Sequence, residues 1–200
     1  MHWSHLARAY DWQLPLERAA VAAAVDLAAA RPDDVVLDIG TGTGAVLREL
    51  AQRPDRPPSA TGVDESAAML NQAGALPPAW SLQTGDARRL RFADSTFSVV
   101  TAAYLLHVVD GAARRQILAE ARRVLCPGGR VVVVTPTWPR TRLVGTLYAP
   151  LAAAAGSSAG PRSAFRPLDP RDELEVASFT VLAARYVARG YPSICVSATR

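Results

Sequence analysis

The segment Val35–Leu50, VVLDIGTGTGAVLREL, constrains this chain more than any other. Val35-Val36-Leu37-Asp38-Ile39 is a short, mostly β-branched apolar run, the pattern of a buried parallel strand. Gly40, Gly42 and Gly44 follow it. Glycine permits a tight turn and lets a ligand approach the backbone closely. Val46, Leu47, Leu50 and Ala51 then mark one face of a helix. A buried strand that turns through glycines into a helix exposes free N–H groups at the helix start, where a nucleotide-like ligand can dock.

The same alternation runs along most of the chain. Leu16–Ala30 is Ala-rich with helical spacing, and Pro15 suits a helix start. Ala60–Asp64 reads as a second strand ending in an acid. Ser66 suits the N-cap of a helix carrying Met69 and Leu70. Trp80–Gly85 is a third strand and Phe97–Ala103 a stronger fourth. Asp110 caps a helix whose apolar face is Ala113, Ile117, Leu118, Ala121, Val124 and Leu125. Pro127-Gly128-Gly129 stops that helix and leads into the strand Arg130–Thr135. A helix is predicted near Leu143–Ala155. Phe179–Val187 and Ile194–Ala198 form a terminal hairpin. Alternating strands and helices imply a parallel sheet with helices on both faces, with an antiparallel strand added at or near one edge.

The chain has 200 residues, enough for one domain with a sizeable core. It carries a formal net charge of +4, and all its basic residues are arginines. Pairs such as Arg88–Arg89 and Arg122–Arg123 are scattered without interleaved aromatics, as on solvated helix faces, which argues against a nucleic-acid footprint. Cys126 and Cys195 fit no metal spacing and no C-x-x-C motif, so no metal is expected and both thiols read as free in a reducing compartment. The start lacks the pattern of a secretory signal. Leu143–Ala155 is broken by Gly145 and Pro150 and is shorter than the roughly 18 to 20 residues that span a bilayer. These features predict a cytoplasmic protein without a transmembrane segment.

Gly40, Gly42 and Ala45 satisfy the G-x-G-x-x-A form of a dinucleotide site, so the glycines alone leave an NAD-dependent oxidoreductase open. Asp64, at the end of the second strand, is placed to hold a ribose diol of either cofactor. Three features tilt the choice. Asp38 puts a carboxylate beside the turn, which suits a cationic amino group or sulfonium and opposes a pyrophosphate. Asp86, in Thr84-Gly85-Asp86-Ala87, can accept from an adenine amino group. The terminal hairpin is unlike the second mononucleotide half of a dehydrogenase. Each residue has a plainer reading: Asp64 and Asp86 as turn or cap residues, Met69 as core, Tyr10 and Trp12 as anchors of the N-terminal segment.

VVLDIGTGTG resembles the first motif of class I S-adenosylmethionine-dependent methyltransferases. VDESAAML is similar to their ribose-binding segment. GDARRLRFADSTFSVV resembles the stretch that holds adenine and enters the fourth strand, and EARRVLCPGGRVVVV the helix–turn–strand that follows. The resemblance runs from about Val35 to Thr135. It implies a Rossmann-like three-layer αβα sandwich with a mostly parallel seven-stranded sheet and a C-terminal antiparallel hairpin. It divides residues 1–200, as one domain, into an N-terminal lid and helix (1–30), a cofactor core (35–135), an acceptor-binding insert (136–170) and the hairpin (178–199).

The resemblance implies S-adenosylmethionine as cofactor and S-adenosylhomocysteine as product. Gly40, Gly42 and Gly44 would shape the turn under the methionine part, with Asp38 nearby. Asp64 would hold the ribose, Met69 would pack near the adenine, and Asp86 with the Ala87 backbone would read it. Ala102 and Ala103 would place a carbonyl near the amino group. Tyr10 resembles the lid tyrosine of small members. Ser98 and Thr41 depart from the family's usual residues, and neither departure removes a cofactor-binding group.

Methyl transfer from a sulfonium needs alignment and exclusion of water more than covalent help. A base is needed only for a protonated acceptor, and His107 is the candidate, with His5 second. The plainer reading of His107 is a structural residue beside the pocket. The absence of an Asn/Asp-Pro-Pro-Tyr/Phe tetrad and of a Pro-Cys nucleophile motif argues against nucleic-acid substrates. The layout resembles the small-molecule branch, which includes quinone- and lipid-modifying enzymes. Trp138, Leu143, Val144, Leu147, Tyr148 and Phe165 predict an apolar or aromatic acceptor, with Trp138 and Tyr148 the substrate-binding candidates. An NAD-dependent oxidoreductase, a non-catalytic S-adenosylmethionine-binding protein and a nucleic-acid methyltransferase remain the rival classes.

Overall fold

In the computed structural model, β1 (Val36–Ile39) is buried at every position and pairs in parallel with β2 (Ala60–Asp64) on one side and β4 (Phe97–Ala103) on the other. The structure describes residues 14–141, 146 and 166–200. His5, Tyr10, Trp12, Tyr148, Phe165 and the helix predicted near Leu143–Ala155 lie outside the described residues, save Thr146 within that helix.

Among the described residues seven strands form one sheet in the order β3-β2-β1-β4-β5-β7-β6. β3 is Ser81–Thr84, β5 Leu125–Pro136, β6 Thr180–Val187 and β7 Ser193–Thr199. The order reverses between β1 and β4, and a crevice forms beyond the strand ends at such a switch point. The helices are α1 (Leu14–Ala28), α2 (Ala45–Ala51), α3 (Ala67–Leu70), α4 (Gly111–Val124) and α5 (Arg171–Val176), with a 3-10 turn at Leu106–Val108.

Strand side chains alternate between two apolar clusters. Leu37, Ile39, Val100 and Val133 pack with Ile117, Leu118, Ala121 and Val124 of α4. Val36, Val99, Val132 and Val134 pack with Ala20, Ala24 and Val25 of α1 and with Leu47 of α2. The two predicted caps are present. Asp110 accepts from the Ala113 N–H at 2.8 Å, and Ser66 from the Met69 N–H at 3.3 Å.

Two details differ from the sequence expectation, the start of β5 and the short helix α5. β5 starts at Leu125, before the Pro127-Gly128-Gly129 turn. Leu125 pairs with Phe97 and Arg130 with Val99, so Cys126–Gly129 are absorbed as a register shift. The hairpin adds its antiparallel strand near one edge, as expected: β7 runs antiparallel to both β5 and β6 and leaves β6 at the edge. Composition explains this: Ile194, Cys195, Val196 and Ala198 are buried, whereas β6 carries Arg185 and an exposed Leu182. The short helix α5 was not anticipated; with six residues it shows too little periodicity, although Leu174 is wholly buried.

Ser98 lies at the start of β4, remote from the glycine turn along the strands. Its hydroxyl donates to Asp34 at 2.6 Å and accepts from the Val35 N–H at 2.9 Å, while Arg130 pairs with Asp34 at 2.8 Å. No helix among the described residues is long and apolar enough to cross a membrane.

Leu118 is 1% exposed and joins α4 to the sheet. Leu118→Ala should lower the unfolding free energy by about 2–5 kcal/mol, read as a fall in the denaturant midpoint.

Candidate active site

The glycine turn is fixed by the end of β2. The N–H groups of Gly40 and Thr41 both donate to the Val63 carbonyl, at 2.8 and 3.0 Å. The Gly42 N–H donates to Asp64 Oδ2 at 2.8 Å, and the Ser66 N–H to Asp64 Oδ1 at 2.8 Å. The Asp64 carbonyl accepts from the Gly85 N–H at 2.9 Å, which ties in the end of β3. Burial raises the Asp64 carboxyl, and the Ser66 and Gly42 N–H groups offset part of that rise.

Gly40 has φ +69°, and a Cβ there would stand 3.0 Å from Leu105 Cδ1. Gly42, with φ +54°, has Met69 Cε 3.4 Å from its Cβ position. Both conformations favour glycine. Gly44, with φ +78°, precedes α2 as its cap.

Asp38 is 1% exposed at the end of β1. Thr101 of β4 donates to its Oδ1 at 2.6 Å, while Oδ2 is buried and, among the described residues, has no partner at hydrogen-bonding geometry. Burial pushes the Asp38 carboxyl up to about 6, against the hydroxyls of Thr101 and Thr41; the charge of Asp64 adds to the rise. Asp38, Gly40, Thr43, Ala103, Tyr104 and Glu17 line a small cavity of about 20 Å³. That is room for about one water molecule or an ammonium-sized group. A wider groove of about 790 Å³ adjoins it between α1 and α2 and shares Glu17, Val21 and Ala45.

The segment after β3 is clamped by α4. Glu120 accepts from the Leu90 N–H at 2.8 Å, and Arg123 donates to the Leu90 and Phe92 carbonyls at 3.0 and 2.8 Å. Asp86 sits at the head of this segment and pairs with Arg88 at 2.8 Å, a half-exposed contact that solvent screens. The Arg88 side chain holds the Asp86 carboxyl below its ordinary range. Ala87 packs against the α4-side core.

The sequence candidates are not all drawn together. Asp38, Gly40 and Ala103 share the cavity wall, while Gly42, Asp64 and Met69 cluster beside it. His107 is 2% exposed and is not a lining residue; its ring packs edge-on against Tyr104, with centroids 6.0 Å apart. Trp138 is 54% exposed past β5 and does not line the cavity.

Glu17 and Tyr104 are among the lining residues that the sequence does not single out. Glu17 is 5% exposed on α1, where an acid early in an Ala-rich helix was the only signal. Tyr104 follows β4 with φ +54°, a left-handed conformation that costs a bulky residue about 1–3 kcal/mol.

Residues 36–129 match the methyltransferase domain family. The chain is 36% identical over 166 residues to a demethylmenaquinone methyltransferase of Beutenbergia cavernae, covering 76% of this chain and 67% of that one. The chain belongs to the class I S-adenosylmethionine-dependent methyltransferase family. A ubiquinone/menaquinone biosynthesis C-methyltransferase of Geotalea daltonii is 37% identical over 124 residues, 58% of this chain; the alignment spans about half, 52%, of that relative. The fold matches an S-adenosylmethionine-dependent methyltransferase structure from Aquifex aeolicus, with TM-score 0.70, 16% identity and coverage of 98% and 97% of the two chains.

In this methyltransferase the Asp38 carboxyl titrates near 6 when folded, above its ordinary 3.8. A raised carboxyl favours folding fully below the unfolded value, and that contribution is lost as pH rises through the folded value. Asp38→Asn, which cannot ionise, should therefore raise the melting temperature of the ligand-free protein at about pH 8. The gain should shrink through about pH 6 and vanish near pH 4; a gain equal at all pH values would contradict the burial account.

Proposed function

We propose that this chain transfers the methyl group of S-adenosylmethionine to a small apolar or aromatic acceptor of quinone type. The observation that carries the cofactor half is the buried carboxylate of Asp38 on the wall of an ammonium-sized cavity; its Oδ2 has no partner at hydrogen-bonding geometry among the described residues. That unpaired acceptor fits the donating amino group of the cofactor. The acceptor half is supported by the relatives, which are named for demethylmenaquinone and for ubiquinone and menaquinone synthesis.

When bound, S-adenosylmethionine supplies a methyl group already activated on a sulfonium. The chain's own task is to bind, orient and exclude water. Asp38 would hold the amino group. Asp64 keeps two lone-pair sites beyond the two that accept backbone N–H groups, enough for a ribose diol. Met69 would pack near the adenine, Asp86 with the Ala87 backbone would read it, and Ala103 would offer a carbonyl. Tyr10 of the N-terminal segment would close on the cofactor. We read residues 1–200 as one methyltransferase domain working in the cytoplasm, with residues 136–170 and their Trp138 and Tyr148 receiving the acceptor.

Calorimetric titration should detect S-adenosylhomocysteine and not NADH. Asp64→Ala should weaken that binding at least about tenfold, since a charge-assisted pair of bonds is worth about 1.5–3 kcal/mol. No binding to the wild-type protein at millimolar levels would end the proposal.

An acceptor that must lose a proton needs a base, and His107, in ring contact with Tyr104, is the candidate. With a demethylmenaquinone analogue, His107→Gln should cut turnover at least about tenfold while sparing cofactor affinity. Unchanged turnover retires that role.

A further inference from the structure

Among the described residues, Ala29, Ser95, Tyr104 and Ser178 have positive φ without being glycine. Ala29, Ser95 and Ser178 are small residues in exposed turns. Tyr104 differs on every count. It is bulky, 8% exposed and part of the cavity wall. A strained conformation persists at a buried position only where its surroundings over-determine it, and such positions cluster at functional sites.

The surroundings of Tyr104 do this from several sides. Its N–H donates to the Val134 carbonyl of β5 at 2.8 Å. Its hydroxyl meets Ser193 Oγ of β7 at 2.7 Å, both groups being buried. Ser193 Oγ in turn donates to the Tyr191 carbonyl at 2.8 Å, so the phenol is the donor to Ser193. The Tyr104 ring also packs on that of Tyr191, with centroids 6.3 Å apart.

The contacts do not stop at the hairpin. The Tyr191 N–H donates to the Leu16 carbonyl at the start of α1, at 2.9 Å. Leu16 precedes Glu17, which lines the same cavity as Tyr104. One cavity wall is thus joined to another through the turn between β6 and β7. Neither Tyr191 nor Ser193 is itself a lining residue.

We infer that Tyr104 is a positioning residue for methyl transfer: its left-handed backbone and its hydrogen bond to Ser193 fix a wall of the cofactor cavity. The β6–β7 turn buttresses that wall and ties it to Glu17. The inference rests on the methyltransferase reading above. Without the Ser193 bond the ring is free to leave its place, and the fraction of molecules with a competent cavity falls.

The test compares the full chain with Tyr104→Phe, Ser193→Ala and the double variant, using S-adenosylhomocysteine as the probe. Ser197→Ala, which removes a buried β7 hydroxyl away from this contact, is the control. Calorimetry gives the dissociation constant and thermal melting gives the stability of each. Each single variant should weaken binding roughly three- to tenfold, the effect of one buried hydrogen bond. The double variant should be no weaker than the weaker single one, because both remove the same bond. The control should bind as the wild type does. Single variants that melt earlier yet bind with wild-type affinity would overturn the inference, since that is the signature of a merely structural contact. Should Tyr104→Phe fail to fold, Ser193→Ala reads the same bond from its other end. A wild-type protein that ignores the probe would overturn the methyltransferase reading and this inference with it; binding by the wild type with unaltered variants would overturn the inference alone.

Discussion

The carboxylate of Asp64 is the joint on which the site depends. One oxygen fixes the glycine turn through Gly42, and the other fixes the start of α3 through Ser66. The backbone of the same residue receives Gly85 from the end of β3. Three chain segments that are distant in sequence are held by one side chain and its carbonyl. The parallel pairing of β1 with β2 makes this possible. It sets Ile39 level with Val63, so the acid that ends β2 stands beside the first glycine after β1.

Asp38 works in the opposite sense. Burying a carboxylate is costly unless it is paired, and only one of its oxygens has a firm partner. The hydroxyl of Thr101 reduces that cost without cancelling it, and the nearby charge of Asp64 adds to it. A protein that keeps such a group stores a deficit on the wall of this cavity. A cation entering the cavity removes the deficit, so the fold is least satisfied where a ligand of the right charge would satisfy it. Thr41, a departure from the usual family residue, helps to hold the Asp38 charge. Its presence is therefore compatible with the role of the first motif.

Legibility in the sequence followed locality. The runs Val36–Ile39 and Phe97–Ala103 announce themselves because strands buried on both faces are continuously apolar, and Asp110 and Ser66 announce helix starts because caps are local chemistry. The order of β7 and β6 is less local. It follows from which of the two can be buried against β5, and that depends on the whole sheet. Tyr104 was invisible for a related reason. Nothing in Ala103-Tyr104-Leu105 demands a left-handed residue; the Val134 carbonyl and Ser193 impose it from strands that come later in the chain. The burial of His107 behind the Tyr104 ring is likewise a tertiary fact, whereas its position after β4 was readable.

Charge placement sharpens the choice between cofactors that glycine spacing left open. The chain as a whole is positive, at +4, with its arginines spread along the sequence. Among the described residues, those lining the cavity include Glu17 and Asp38 and no arginine, and Asp64 lies just beyond them. In a site of low dielectric, acids at the glycine turn repel a pyrophosphate strongly and attract an ammonium or sulfonium equally strongly. A dinucleotide site on the same turn needs the reverse field, with its phosphates against backbone N–H groups. Here the Gly42 N–H is already committed to Asp64, which removes a donor that a phosphate would require. The backbone geometry common to both cofactor classes is thus turned toward a cation by two carboxylates, at the ends of β1 and β2, and by the glutamate that α1 brings over them.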